Sequence, residues 1–169
     1  MTGIALTAAS PTIAPPRVER TRFCTRCAGT QLDEAQGAPF GFDRVCGRCG
    51  MGVMLSAPRK ALPSSGAATV VVTREGRISA VSEQAEHLVG DEAGLLGMPF
   101  ASALTSEQED EDELLARQLA RAASGGREIA EAVLTPVPQA GSRPIRLTAR
   151  ITSCGSPRAA LVVLERAPQ

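Results

Sequence analysis

The chain is poor in the side chains that most chemistry relies on. It has one histidine, four phenylalanines, no tryptophan and no tyrosine. With a single histidine, no Ser-His-Asp arrangement can be argued, and no glycine-rich phosphate-cradling motif is present. Phe100 is the only aromatic residue after Phe42, which leaves little for stacking on bases. No stretch approaches the roughly 20 apolar residues of a membrane-spanning helix. The run Met1 to Ser10 has no basic residue ahead of its apolar part, and Pro11, Pro15 and Pro16 follow. A secretory leader is therefore not expected, and a reducing cytoplasm is. Lysine is nearly absent too: Lys60 stands alone, and arginine supplies the remaining positive charge.

Formal net charge is zero over 169 residues, but it divides along the chain. Residues 1–60 carry eight Lys/Arg against four Asp/Glu, and residues 61–169 carry ten against fourteen. Four thiolates on one zinc would offset half of the first excess and leave it mildly basic, so electrostatics alone gives thin support for binding nucleic acid. With 43% apolar residues the chain can bury a core, which excludes global disorder. Its length fits one domain plus a small module, or two small domains.

What the chain does have is two Cys-x-x-Cys pairs. Cys24 and Cys27 lie in CTRC, Cys46 and Cys49 in CGRC, with eighteen residues between the pairs. Each pair can curl into a knuckle that points two sulfurs inward, and this spacing suits one tetrahedral zinc held by four thiolates. Metal binding then becomes folding free energy for a span too short to build its own core. Iron also accepts four thiolates. A redox couple fits one such pair better than two, and paired disulfides belong to secreted proteins. A four-thiolate zinc has no open position for water, so the expected role is structural.

Four segments follow from composition and periodicity. Residues 1–20 read as a disordered tail and 21–52 as the cysteine module, in which Phe40, Phe42 and Val45 alternate as a short strand over the metal. Residues 53–67 read as a Pro/Ser-rich linker, and 68–167 as a folded domain. The domain opens with TVVVT, a turn at Arg74-Glu75-Gly76 and a strand to Val81. Ser82 offers an N-cap to a short helix that stops at Gly90. Ser106 and Glu109 have capping-box spacing ahead of an acidic helix start, with Leu114, Leu115 and Leu119 on its apolar side. Three strands close the chain, at Glu128–Thr135, Ile145–Thr152 and Ala159–Glu165. In the middle one Ile145, Leu147, Ala149 and Ile151 face one way. The expected fold is α+β, an antiparallel sheet with helices on one face.

The run VVVTREGRISAVSEQAEHLVG, then LLGMPF, resembles the opening of the PAS family of sensory domains, over about residues 68–166. Residues 24–49 are similar to a zinc ribbon. The PAS resemblance implies a five-stranded antiparallel sheet cupping a pocket, used to sense a small molecule or to form a homodimer, and it implies no particular ligand. Val70, Val72, Leu96, Leu147 and Val163 would line such a pocket, and the same side chains would equally make a filled core. A photoactive flavin needs a reactive cysteine in the helical section, yet none stands between Cys49 and Cys154. Haem needs an axial ligand, and His87 falls where this pattern places a surface residue. An organic cofactor is thus not expected.

Catalysis is not expected either. The reading that results is a regulatory protein whose PAS-like domain senses or dimerises while its zinc ribbon contacts a partner protein. The alternatives are a small-ligand sensor and a nucleic-acid-binding regulator using Arg17, Arg20, Arg22, Arg26, Arg44 and Arg48 on phosphates. The module has no helix to enter a groove, which disfavours the last.

Overall fold

The computed structural model describes residues 18–32, 44–62, 66–108, 111–137, 145–155 and 157–167. A small antiparallel sheet comprises β1 (Arg20–Cys24), β2 (Thr30–Leu32) and β3 (Met54–Pro58), ordered β2-β1-β3. A larger one holds β4 (Ala68–Val72), β5 (Ile78–Val81), β6 (Leu104–Ser106), β7 (Ala130–Pro136), β8 (Leu147–Cys154) and β9 (Ala159–Arg166). Its order is β5-β4-β9-β8-β7-β6, antiparallel throughout. Helices α1 (Glu83–Val89), α2 (Glu92–Leu95) and α3 (Asp112–Ala123) come between β5 and β7 in the chain.

Local chemistry accounts for these elements. Gly76, at φ +74°, closes the hairpin between β4 and β5, a backbone conformation that favours glycine. Ser82 caps α1 by accepting a hydrogen bond from the Ala85 amide, and the helix stops at Gly90. Helix α3 turns Leu115, Leu119, Ala122 and Ala123 inward, and its first turn carries Asp112 and Glu113 at the positive end of the helix dipole.

The large sheet is buried on both faces at its β4–β9 centre, but by different partners. Val70, Val72, Leu147, Ala149, Ile151, Val162 and Leu164 pack under the helices with Ala85, Val89, Leu115 and Leu119. The alternate residues Val71, Cys154, Ala159, Leu161 and Val163 pack instead against Phe23, Leu55, Ala57 and Leu62. Period-2 alternation puts neighbours on opposite faces, so both faces of β4 and β9 are apolar because both are covered. A reciprocal pair of backbone hydrogen bonds adds to this join: the Ser56 amide donates to Gly155 at 2.6 Å, and Gly155 donates back at 3.0 Å.

The mixed architecture agrees with the α+β expectation, with four corrections. The large sheet has six strands, not five, because β6 pairs with β7 through Leu104–Pro136, Thr105–Thr135 and Ser106–Leu134. Ser106 therefore ends a strand instead of capping a helix, and its amide donates to the Asp112 carboxylate at 2.8 Å; Glu109 lies outside the described residues. The segment expected to be linker contains β3 and a 3-10 turn at Arg59–Ala61. Strand β1 begins at Arg20, inside the expected tail. Phe40 and Phe42 fall outside the described residues, while Val45 bridges Val53 and is half exposed.

Candidate metal centre

The two Cys-x-x-Cys segments fold as matching turns. In the first, the Ala28 amide donates to the Cys24 carbonyl at 3.0 Å; in the second, the Gly50 amide donates to the Cys46 carbonyl at 2.8 Å. The residue after each second cysteine is left-handed, Ala28 at φ 49° and Gly50 at φ 70°. The turns are joined crosswise by Thr25 N to the Val53 carbonyl at 2.9 Å and by Val53 N to the Thr25 hydroxyl at 3.0 Å.

This folding gathers Cys24, Cys27, Cys46 and Cys49 so that all four sulfurs lie within 4.8 Å of one another. Cys24 Sγ stands 3.6 Å from Cys49 Sγ, and Cys27 Sγ 3.9 Å from Cys46 Sγ. Four thiolates at about 2.3 Å from one tetrahedral zinc stand about 3.8 Å apart, and the observed separations bracket that value. They are far from the roughly 2.05 Å of a disulfide, and all five cysteines of the chain are free. The donor set could hold one metal ion and is compatible with structural zinc. Four sulfurs leave no protein-free position for a reacting water.

Backbone amides support the sulfurs. Arg26 N and Cys27 N donate to Cys24 Sγ at 3.3 and 3.4 Å, and Gly52 N donates to Cys49 Sγ at 3.4 Å. The amides of Gly52 and Met51 pull the Cys49 thiol down to about 6, and those of Cys49 and Arg48 pull Cys46 down. Burial pushes Cys24 up to about 12 and also raises Cys27. At pH 7 Cys49 is thus largely thiolate, while Cys24 needs a cation beside it to ionise. Gly52 seals the site, because a Cβ there would lie 2.2 Å from Cys24 Sγ and 2.8 Å from Arg26 N.

The centre is tied to the helices by Arg26, one of the two residues between Cys24 and Cys27. Its guanidinium Nη1 lies 2.9 Å from Glu86 Oε1 and 3.2 Å from Glu92 Oε2, and its Nε lies 3.9 Å from Glu83 Oε1. Its carbonyl accepts the Glu83 amide, the first of α1, at 2.9 Å. The hydrogen bond from Arg26 holds the Glu86 carboxyl below its ordinary range. No motif marked this cluster in the sequence. The signal available was a knuckle arginine together with an acid-rich helix start, and both are common.

The remaining expected site residues do not come together. Val70, Val72 and Leu147 are fully buried among packed core neighbours, but Leu96 is 48% exposed and Val163 lies on the opposite sheet face. The five therefore line no common cavity. His87 is exposed on α1. Of the arginines read as phosphate ligands, Arg26 is engaged by carboxylates and Arg20 holds the Ser56 hydroxyl at 3.0 Å and its carbonyl at 2.8 Å. Arg17 lies outside the described residues. Among the described residues, no helix is long and apolar enough to cross a membrane. A scan of protein-family models gave no match, and a comparison with curated proteins gave none.

Proposed function

We propose that the chain is a non-enzymatic regulatory protein in which a zinc-clasped cysteine module contacts a partner protein and is coupled to a PAS-like sensory or dimerising domain. The observation that carries this reading is the junction. Arg26 links the Cys24–Cys27 knuckle to Glu83, Glu86 and Glu92, and Phe23, next to Cys24, is fully buried against Val71, Leu161 and Val163. A contact made at the module is thereby felt at α1 and at the sheet, and an event in the sheet is felt at the module. Exposed Met51, Val53 and Val45 around the second knuckle supply apolar surface for such a contact. The order of hairpin, helices and three long strands supports the PAS-like reading, with β6 as an addition.

The test is site-specific photo-crosslinking in the producing cell. A crosslinker at Met51 is expected to trap one discrete protein, and one at Arg117 on α3 is expected to trap none. Adducts to nucleic acid, or no adduct at Met51, would contradict the reading. Dimerisation through the PAS-like half is part of the same proposal, and a strict monomer in sedimentation at every concentration would remove it.

A further inference from the structure

The metal knuckles and the β4–β5 hairpin do not close completely on one another. A cleft of ≈ 420 Å³ and another of ≈ 380 Å³ share Thr25, Val53, Ser79 and Ala80. They are two ends of one open groove, with the cysteine module as one wall and the hairpin as the other. One end is acidic: Glu86, Asp91 and Glu92 line it, and Arg26 is the only cation among its lining residues. The other end is mainly apolar, with Val53, Leu55, Val71 and Ala159 in its lining beside Arg74, Glu75 and Arg158. Met51, 69% exposed, and Val53, 44% exposed, border the groove without belonging to any core cluster.

We propose that this groove is the seat of the partner: it takes an extended segment of a partner protein that carries an arginine or lysine near one or two aliphatic side chains. The inference rests on the partner-contact reading above and gives it a place and a chemistry. Charge decides the first element. Three carboxylates against one guanidinium leave the end net negative, and the hydrogen bond from Arg26 favours the ionised form of Glu86. Exposed apolar surface decides the second, because Val53 and Met51 reward aliphatic contact with the water they release.

Strand addition is not the mode. The outer edge of β5 is already taken, since Ile78 N donates to Met98 O at 2.9 Å and Gly97 N donates to Ile78 O at 2.8 Å. The Val81 amide is held by Glu92 Oε1 at 3.0 Å. Recognition therefore falls to side chains rather than to a backbone ladder. One wall of the groove consists of knuckle residues, so the site is complete only while the four sulfurs are clasped.

The experiment uses the zinc-loaded full chain and a displayed library of random seven-residue peptides. Enriched sequences are expected to combine Arg or Lys with an aliphatic residue within about three positions. Their affinity is expected to fall about tenfold or more in Asp91→Arg and in Val53→Asp, and to be unchanged in Leu114→Asp on the far side of α3. Asp91 makes no side-chain cap to α2 and is exposed, so its substitution tests charge without touching the fold. No enrichment, or enriched peptides that bind the groove variants as well as the native chain, would overturn the proposal. If Met51 still traps a protein in the cell under either of those outcomes, partner contact through the module stands and only the groove falls.

Discussion

Arg26 Nη1 lies 2.9 Å from Glu86 Oε1, so a residue placed between two cysteines of the candidate metal centre is hydrogen-bonded to the first helix of the larger domain. Arg26→Ala is expected to lower the melting temperature while leaving one metal per chain, because the backbone amide that donates to Cys24 Sγ is retained. Arg26 holds the Glu86 carboxyl below its ordinary value of 4.5. A folded-state value below the unfolded one gives stabilisation that is present above that range and is lost as pH falls through the lowered value. The stability difference between native chain and variant should therefore shrink below about pH 4.5. Thermal melts at pH 7 and pH 3 check this, and an equal difference at both would remove the ion pair as its cause.

Phe23→Ala tests the shared core. Truncating a fully buried phenylalanine costs about 3–5 kcal/mol. Phe23 contacts both the module and the sheet, so urea titration should show the loss in the larger domain as well as at the metal. A variant whose sheet unfolds at the native midpoint would show that the two parts are energetically separate.

The sequence carried much of this arrangement and hid the part that joins it. The Cys-x-x-Cys pairs are legible because ligand geometry constrains spacing tightly. The β8 alternation is legible because its residues 147, 149 and 151 face a core while Thr148 and Arg150 do not. Ser82 and Gly90 announce α1 from both ends. By contrast, β3 was hidden by Pro58 and by the Pro/Ser-rich residues that follow it, which made a strand look like the start of a linker. Strand β6 is only three residues long, below the length at which periodicity speaks.

An expectation of independent parts fails for a related reason. The sequence reads residues 53–67 as a linker between the cysteine module and a folded domain of its own. Yet Val71, Leu161 and Val163 are covered by Phe23 and Leu55, so unfolding the module exposes that sheet face. A clue was present: the unbroken apolar runs TVVV and AALVVL have no polar face, which is the pattern of strands covered on both sides. The residues expected to line a pocket separate where the backbone decides exposure. Leu96 follows the single-turn α2 and points outward, although its neighbours in sequence read as core.

Gly52→Ala should damage the centre by steric means alone. The added methyl would meet Cys24 Sγ at 2.2 Å and the Arg26 backbone, neither of which can move without distorting the knuckle. Metal affinity should fall by about 10–100-fold, the range seen when groups that orient ligands are lost. Gly47→Ala is the control, since nothing lies within 4 Å of its added Cβ. Competition with a chromogenic chelator measures both, and equal affinities would refute the packing argument.

Cys154 should behave as an inert thiol while the module is closed. Burial between the sheet and the module pushes it up to about 12 from 9.0, so at pH 8 it is almost wholly protonated. A raised folded-state value gives stability that is intact below pH 9.0 and declines as pH rises toward about 12. Iodoacetamide at pH 8 is expected to spare Cys154 in the metal-loaded chain and to label it after chelation. Rapid labelling of the loaded chain would show that the module does not cover this face.

The most direct measurement of the central claim follows metal release and loss of sheet structure in one denaturant titration. Zinc is read with a chromogenic indicator and the sheet by circular dichroism. Coupling through Arg26 and Phe23 predicts that the two signals change together in a single transition with one midpoint. Metal leaving at a clearly lower denaturant concentration, with the sheet then unfolding as it does in the chelated protein, would contradict the account.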